Sequence, residues 1–320
     1  MSLWPFLRPD AAAKQLLMDR YAAAFDRKRL ASELAATGVS PLDQLAESDL
    51  RVRGLALKKD RFLVLARGRR SSLAVKGYAD GRGRRVFRDH LRAWEAGLDG
   101  RFPEASTPRP IADLPGLGAH ASAWLFARAA RPGSLDDALQ SGRALARLHS
   151  LPAAFERSLD LEVMVANSWR YARLLERTDA GLGRAASVLL ERGEAAFRER
   201  SIEWVPVHGD FWSEAVLFTA SGPKLVDWDQ ACLFDPAWDL ALFLVQLERH
   251  MEGDESRVAS AFLAGYQDVI GHDPGLPERI AYQKCFARVH KAVSALRFDG
   301  PAGPRRANRL LSEGRMVAQT

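Results

Sequence analysis

Apolar side chains at Leu16, Leu17, Tyr21 and Phe25 recur three and four residues apart, which predicts one helix over residues 11–35. Near residue 51 the period shortens to two. Arg51 to Leu57, Arg61 to Ala66 and Ser72 to Tyr78 alternate in polarity, separated by Lys58-Lys59-Asp60 and by Arg67-Gly68-Arg69-Arg70. Short alternating runs joined by charged or glycine-bearing turns predict an antiparallel meander. Helical spacing returns over residues 84–96. The stretch from Arg101 to Pro115 holds four prolines, each without a backbone N–H, and is expected to be mostly irregular. A further strand is predicted over Ala121 to Arg128. Beyond Pro132-Gly133 the pattern is mainly helical, except between Val205 and Val226, where short apolar strands are joined by polar loops. The predicted organisation is an α+β chain with an N-terminal helical extension (1–45), a small sheet-rich lobe (46–127) and a larger, mainly helical lobe (128–320).

Composition narrows the class. Hydrophobic residues at 47% and charged residues at 27% exclude fibrous and disordered chains and leave enough apolar surface for two cores. Two cysteines, Cys232 and Cys285, are too few for a disulfide framework or a thiolate metal site, which suits a reducing compartment. The opening MSLWPFLRPD lacks the basic flank and apolar run of a secretory signal, and Asp10, Asp19 and Asp26 argue against a transit peptide. The most apolar run, Ala241 to Leu247, falls far short of the roughly 20 residues a membrane span needs. A cytoplasmic protein with no membrane contact is expected.

Charge changes the picture more than composition does. A net +6, with 38 of the 46 cationic side chains arginine, suggests a polyanionic partner. The charge is uneven along the chain. Residues 51–100 hold 14 Lys and Arg against five acids, whereas residues 201–260 hold 11 acids against Lys224, Arg249 and Arg257. Blocks of opposite sign suit a cleft with one wall for phosphates and one for a metal or cationic substrate, or two solvated faces.

The break at Val205 to Val226 carries the candidate chemistry. Asp210 is expected in a loop after one short strand and Asp227 at the end of the next, so that two carboxylates converge. Phosphoryl transfer uses such a pair: one orients the attacking hydroxyl and takes its proton, the other holds Mg²⁺ on the nucleotide phosphates. Downstream, Asp235 and Pro236 suit the start of a helix running from Ala237 to His250. That helix encloses Asp239 among apolar residues, where a charge must be hydrogen-bonded.

Taken in order, His208-Gly209-Asp210, Asp227-Trp228-Asp229 and Asp235-Pro236-Ala237-Trp238-Asp239-Leu240-Ala241 resemble the aminoglycoside phosphotransferase and choline kinase superfamily, relatives of the protein kinases. The resemblance spans roughly residues 50–270. It implies a protein-kinase-like two-lobe fold, ATP and Mg²⁺ as cofactors, and a small-molecule acceptor. Asp210 is then the catalytic base, His208 orients its loop, Asp227 is the principal metal ligand, and Asp239 anchors the loop backbone. Leu73-Ala74-Val75-Lys76 fits the strand motif in which Lys76 reaches the phosphates and small Ala74 leaves room for adenine. Its acidic partner on the next helix is Asp89, with Glu95 as the alternative. The phosphate loop falls on the hairpin from Gly54 to Lys59, and the hinge on Phe126 to Ala129, which includes Arg128. Gly142 to His149 resembles the helix after the hinge. Since the basic stretch coincides with the lobe expected to face ATP, no nucleic-acid partner is expected. Monomer and homodimer both remain open.

One position departs from the pattern. Five residues after the catalytic Asp the kinases carry a metal-binding Asn, and this chain has Ala215. The contact is lost unless Glu214 or Asp229 takes it over, so activity is expected to be weakened. The alternative is a catalytically silent, nucleotide-binding module. For a cationic acceptor, Glu248, Glu252, Asp254 and Glu255 are candidates, or a solvated helix end. Phe211, Trp212, Trp228 and Trp238 are either an aromatic wall or core. The run Phe211-Trp212-Ser213 is similar to the Leu-Trp-Ser of fructosamine kinases, which keeps amino sugars beside antibiotics and amino alcohols as acceptors.

Overall fold

The computed structural model describes the chain apart from residues 1–10, 40–46, 70, 132, 153, 198–202, 252, 254 and 317–320. Two compact units emerge, Met1–Ala127 and Arg128–Thr320.

The first unit is built on a five-stranded antiparallel sheet. Strands β1 (Arg51–Leu57), β2 (Arg61–Arg67) and β3 (Ser72–Tyr78) form the meander, and β4 (Pro110–Leu114) and β5 (Ala119–Ala123) complete the order β1-β2-β3-β5-β4. Strand β4 lies inside the stretch expected to be irregular. It is an edge strand, where the missing N–H of Pro110 leaves no ladder bond unmade. Phe62, Val64, Leu73 and Val75 share one face because their registers pair Val64 with Val75 and Ala66 with Leu73. That face is closed by Leu17 and Ala24 of helix α1 (Ala11–Phe25) and Leu30 and Leu34 of helix α2 (Arg27–Ala36).

The single helix expected over 11–35 is in fact two. Asp26 leaves the helical conformation (ψ 109°) and its carboxylate accepts the backbone N–H groups of Lys28 and Arg29, starting a new helix. Helix α3 (Gly83–Ala93) follows the meander and ends in a wide turn, Trp94–Leu98, in which Gly97 takes φ 145°.

The second unit is mainly helical. Helices α4 (Leu135–His149), α5 (Leu161–Thr178) and α6 (Ala180–Phe197) precede the strand-rich break. Helices α7 (Ala237–His250), α8 (Glu255–Ile270), α9 (Leu276–Phe298) and α10 (Gly303–Met316) follow it. Within the break, β7 (Val205–Val207) pairs with β10 (Cys232–Phe234), and β8 (Val216–Thr219) pairs with β9 (Gly222–Leu225). A two-residue strand, β6 (Arg128–Ala129), joins β8. Helix α7 is buried continuously from Ala237 to Gln246 and forms the centre of the unit. The result is the α+β architecture expected, a small antiparallel sheet unit followed by a larger helical one. Among the described residues no helix is long and apolar enough to cross a membrane.

Candidate active site

Asp210 sits in the loop after β7, and its loop is held by main-chain hydrogen bonds to one buried carboxylate. Asp239 Oδ2 accepts the N–H of His208 at 2.6 Å and Oδ1 accepts the N–H of Gly209 at 2.8 Å. His149 Nε2 donates to the same Oδ2 at 3.2 Å, and Tyr266 Oη lies 2.9 Å from His149 Nδ1. With Nε2 bound to a carboxylate, Nδ1 is the ring acceptor and the tyrosine hydroxyl the donor. Burial, and then the negative charge of Asp239, push the Tyr266 hydroxyl well above the usual phenol range. The fully buried Asp239 carboxylate is thus met by three hydrogen bonds, as a buried polar group requires.

The same loop is tied to the turn that carries Asp227. His208 Nε2 donates to Val226 O at 2.8 Å, and the N–H of Val226 donates to Ala215 O at 2.9 Å. Gly209 takes φ 79°, and a Cβ there would lie 2.2 Å from Gln230 O. Only glycine fits both the backbone angle and the contact. Asp227 is the one described non-glycine residue with positive φ, 68°. Holding an aspartate in the left-handed region costs about 1 kcal/mol or more, the kind of strain that collects at functional turns. Its side chain is exposed, whereas Asp229 is buried and Glu214 lies at the surface.

Asp210 itself is 43% exposed at its side chain, and Lys291 of α9, only 10% exposed, reaches its Oδ1 at 2.9 Å. The sequence reading missed Lys291. The available signal was a trio of polar residues, Arg288, His290 and Lys291, inside an otherwise apolar run of α9. Their partners lie far away in sequence.

Among the described residues no group of three His, Cys, Asp or Glu side chains forms a metal cage. Mg²⁺ is held by one or two carboxylates and otherwise by waters and substrate phosphates. The exposed, all-oxygen donor of Asp227 suits such an ion. The Ala215 methyl offers it nothing.

In the first unit, Ala74 and Lys76 lie on the face of β3 opposite to Leu73 and Val75, as alternation requires. Lys76 stands across from Leu63 and His120, with its Nζ 5.6 Å from the centre of the Tyr78 ring. Asp89 is fully buried on α3 and takes Arg85 at 3.2 Å and Arg92 at 3.3 Å. Gly54 lies within β1 rather than in the hairpin, whose turn is Lys58 to Asp60, and a Cβ on it would meet Tyr21 Oη at 2.5 Å. It makes room for α1. Phe126 is 77% exposed. Arg128, in the second unit, forms a two-pronged pair with Asp137 at 2.6 and 2.8 Å and stacks on Phe218. The hydrogen bonds from Arg128 hold the Asp137 carboxyl far below the usual range.

The candidate acceptor residues separate. Phe211, Trp228 and Trp238 are buried, with Phe211 stacked on Phe262. Trp212 is half-buried against His250. Glu248 takes Arg288 on both oxygens at 3.0 Å and Lys284 at 2.5 Å, so its charge is answered within the chain. Burial alone would raise its carboxyl, but Arg288 and Lys284 hold it below the usual value. Glu255 accepts the N–H of Gly253. Glu252 and Asp254 lie outside the described residues.

Comparison with known proteins gives a family match and a fold match. The model described as the phosphotransferase enzyme family matches residues 55–281. Among solved structures, the choline kinase of Cryptosporidium parvum is 10% identical over 91% of this chain and 95% of its own, with a TM-score of 0.67. An aminoglycoside phosphotransferase from Alicyclobacillus acidocaldarius is 16% identical over 88% and 92%, with a TM-score of 0.60. A spectinomycin phosphotransferase in complex with ADP and spectinomycin is 14% identical over 92% and 94%, with a TM-score of 0.54. No curated protein matches the chain by sequence.

Proposed function

Since the chain belongs to the phosphotransferase enzyme family, we propose that it moves the γ-phosphate of ATP to a hydroxyl of a small molecule, an aminoglycoside-like antibiotic, an amino sugar or an amino alcohol. The observation that carries this reading is the half-exposed Asp210 carboxylate on a loop whose two preceding N–H groups are fixed by buried Asp239. A carboxylate with a fixed backbone and a solvent-facing side chain is placed to orient an acceptor hydroxyl and accept its proton, a contribution of about 10²- to 10⁴-fold in rate. His208 keeps that loop against the Asp227 turn. Asp227 is the residue for Mg²⁺, with Glu214 or Asp229 as additional oxygen donors. When bound, Mg²⁺ neutralises charge on the phosphates. Lys76 pairs with phosphate oxygens, and Ala74 leaves the strand face clear for the base. The ADP held by the spectinomycin phosphotransferase supports a nucleotide here.

Ala215 motivates a second reading, a nucleotide-binding module without transfer. An acceptor panel with labelled ATP and Mg²⁺ separates the two. The enzyme reading expects transfer to at least one acceptor, lowered at least about 100-fold by Asp210→Asn. Undiminished transfer in that variant refutes Asp210 as the base. Stabilisation by ATP with no transfer to any acceptor favours the silent module.

A further inference from the structure

Lys291 lies outside the stretch shared with the family, yet it touches the residue on which the proposed chemistry turns. Its side chain is nearly buried, whereas that of the aspartate it binds is half-exposed. An ordinary surface ion pair has both partners in water and contributes little. Here most of the lysine side chain is packed inside the unit, and its ammonium has Asp210 as partner at 2.9 Å. The neighbouring His290, held by Ser168 at 2.9 Å and packed on Trp238, fixes the adjacent turn of α9. The ammonium is therefore a fixed part of the loop's surroundings.

Ala215 completes the observation. Kinases bind two Mg²⁺ ions, through the aspartate corresponding to Asp227 and through an asparagine where this chain has Ala215. The Ala215 side chain has no oxygen, and its carbonyl accepts the N–H of Val226. A fixed cation on Asp210 also repels a divalent ion close by. Loss of a ligand and gain of a cation act in the same direction.

We propose that Lys291 is a positioning residue that holds the Asp210 carboxylate and excludes a second divalent cation, so that transfer runs with a single Mg²⁺. The proposal rests on the phosphotransferase reading above. The ammonium then takes over part of the charge balance that a second ion supplies in the kinases, without a metal ligand at residue 215.

The test counts metal ions directly. Mn²⁺ is titrated by electron paramagnetic resonance against the full chain with a non-hydrolysable ATP analogue, and turnover is measured in parallel. The wild type is expected to bind one Mn²⁺ and Ala215→Asn/Lys291→Met two. Lys291→Met is expected to lower kcat about 100-fold, as misplacement of a reacting group does, with little change in KM for ATP. Lys291→Arg, which keeps the cation, is expected to retain most of the turnover. Two Mn²⁺ ions in the wild type, or wild-type turnover in a folded Lys291→Met, overturn the proposal. Should Lys291→Met not fold, the wild-type count and Lys291→Arg decide. A wild type that binds one Mn²⁺ but transfers to no acceptor defeats the enzyme reading and leaves the metal assignment standing. Absence of any Mn²⁺–analogue binding defeats both.

Discussion

At the scale of single residues, two aspartates on neighbouring elements carry opposite duties. Asp239 is buried and accepts three hydrogen bonds from His208, Gly209 and His149. Asparagine in its place offers one oxygen and an N–H₂ group that faces donors. Asp239→Asn is expected to cost about 3 kcal/mol, the scale of a buried charged acceptor lost to its donors, and to abolish transfer with it. Asp210→Asn takes the negative charge from the mostly buried Lys291 side chain but leaves it an amide oxygen as acceptor, so it is expected to cost about 1 kcal/mol, clearly less than Asp239→Asn, and to lose transfer. Urea unfolding and the transfer assay on both variants check this split, and a stable Asp239→Asn would refute it. Asp239 was legible in the sequence because a carboxylate inside Trp238 to Phe243 needs donors, and His208 and Gly209 announced a loop. Lys291 was not legible, because its partner lies 81 residues away and nothing local marks the pairing.

At the scale of elements, α4 and α8 meet backbone to backbone. A Cβ on Gly142 would lie 2.0 Å from Phe262 O, and one on Gly265 2.0 Å from Leu139 O. Helix propensity alone says that Gly142→Ala should stabilise α4 by about 1 kcal/mol. The contact says the reverse, since rigid backbone cannot yield as a side chain would, and overpacking costs about 1–3 kcal/mol. The contact is expected to win, so Gly142→Ala should lower stability in denaturant unfolding, and a more stable variant would show that the helices separate easily. His149 and Tyr266, which complete the Asp239 network, sit on these two helices. The variant should therefore lose transfer as well. Strands β1 and β3 have the bounds that alternation predicts, and β2 is one residue longer, because a half-buried sheet imposes its period on the sequence. The helix break at Asp26 and edge strand β4 escaped that reading. A single capping carboxylate and an edge position are local exceptions within an otherwise uniform pattern.

At the scale of the whole molecule, charge is more nearly settled within the fold than the sequence suggests. Three acids of the block 201–260 find cations on α9: Arg279 near Asp235, Lys284 and Arg288 on Glu248, Lys291 on Asp210. Among the groups sensitive to acid are two fully buried histidines, one in each unit, beside His250, which partial burial and then Arg249 lower. His90, hydrogen-bonded to Thr107, is lowered to about 3 by burial and then by the nearby charge of His120. His290 is lowered to about 3 by burial and then by Lys291. In the unfolded chain both titrate near 6.5. Between 6.5 and 3 the unfolded chain therefore binds more protons than the folded one. Stability is full above 6.5 and falls as the pH drops, by about 1.4 kcal/mol per unit for each histidine. Carboxylates held low by arginines, such as Asp137 under Arg128, act in the same direction, but only once the pH nears the usual carboxylate range. The window from 6.5 to about 4.5 thus reports mainly on the histidines. Melting temperatures followed by circular dichroism across that window are expected to fall steadily, and His290→Asn is expected to flatten the slope while lowering stability at neutral pH. A melting temperature that stays level or rises on acidification would mean that these rings are charged or exposed in the folded protein.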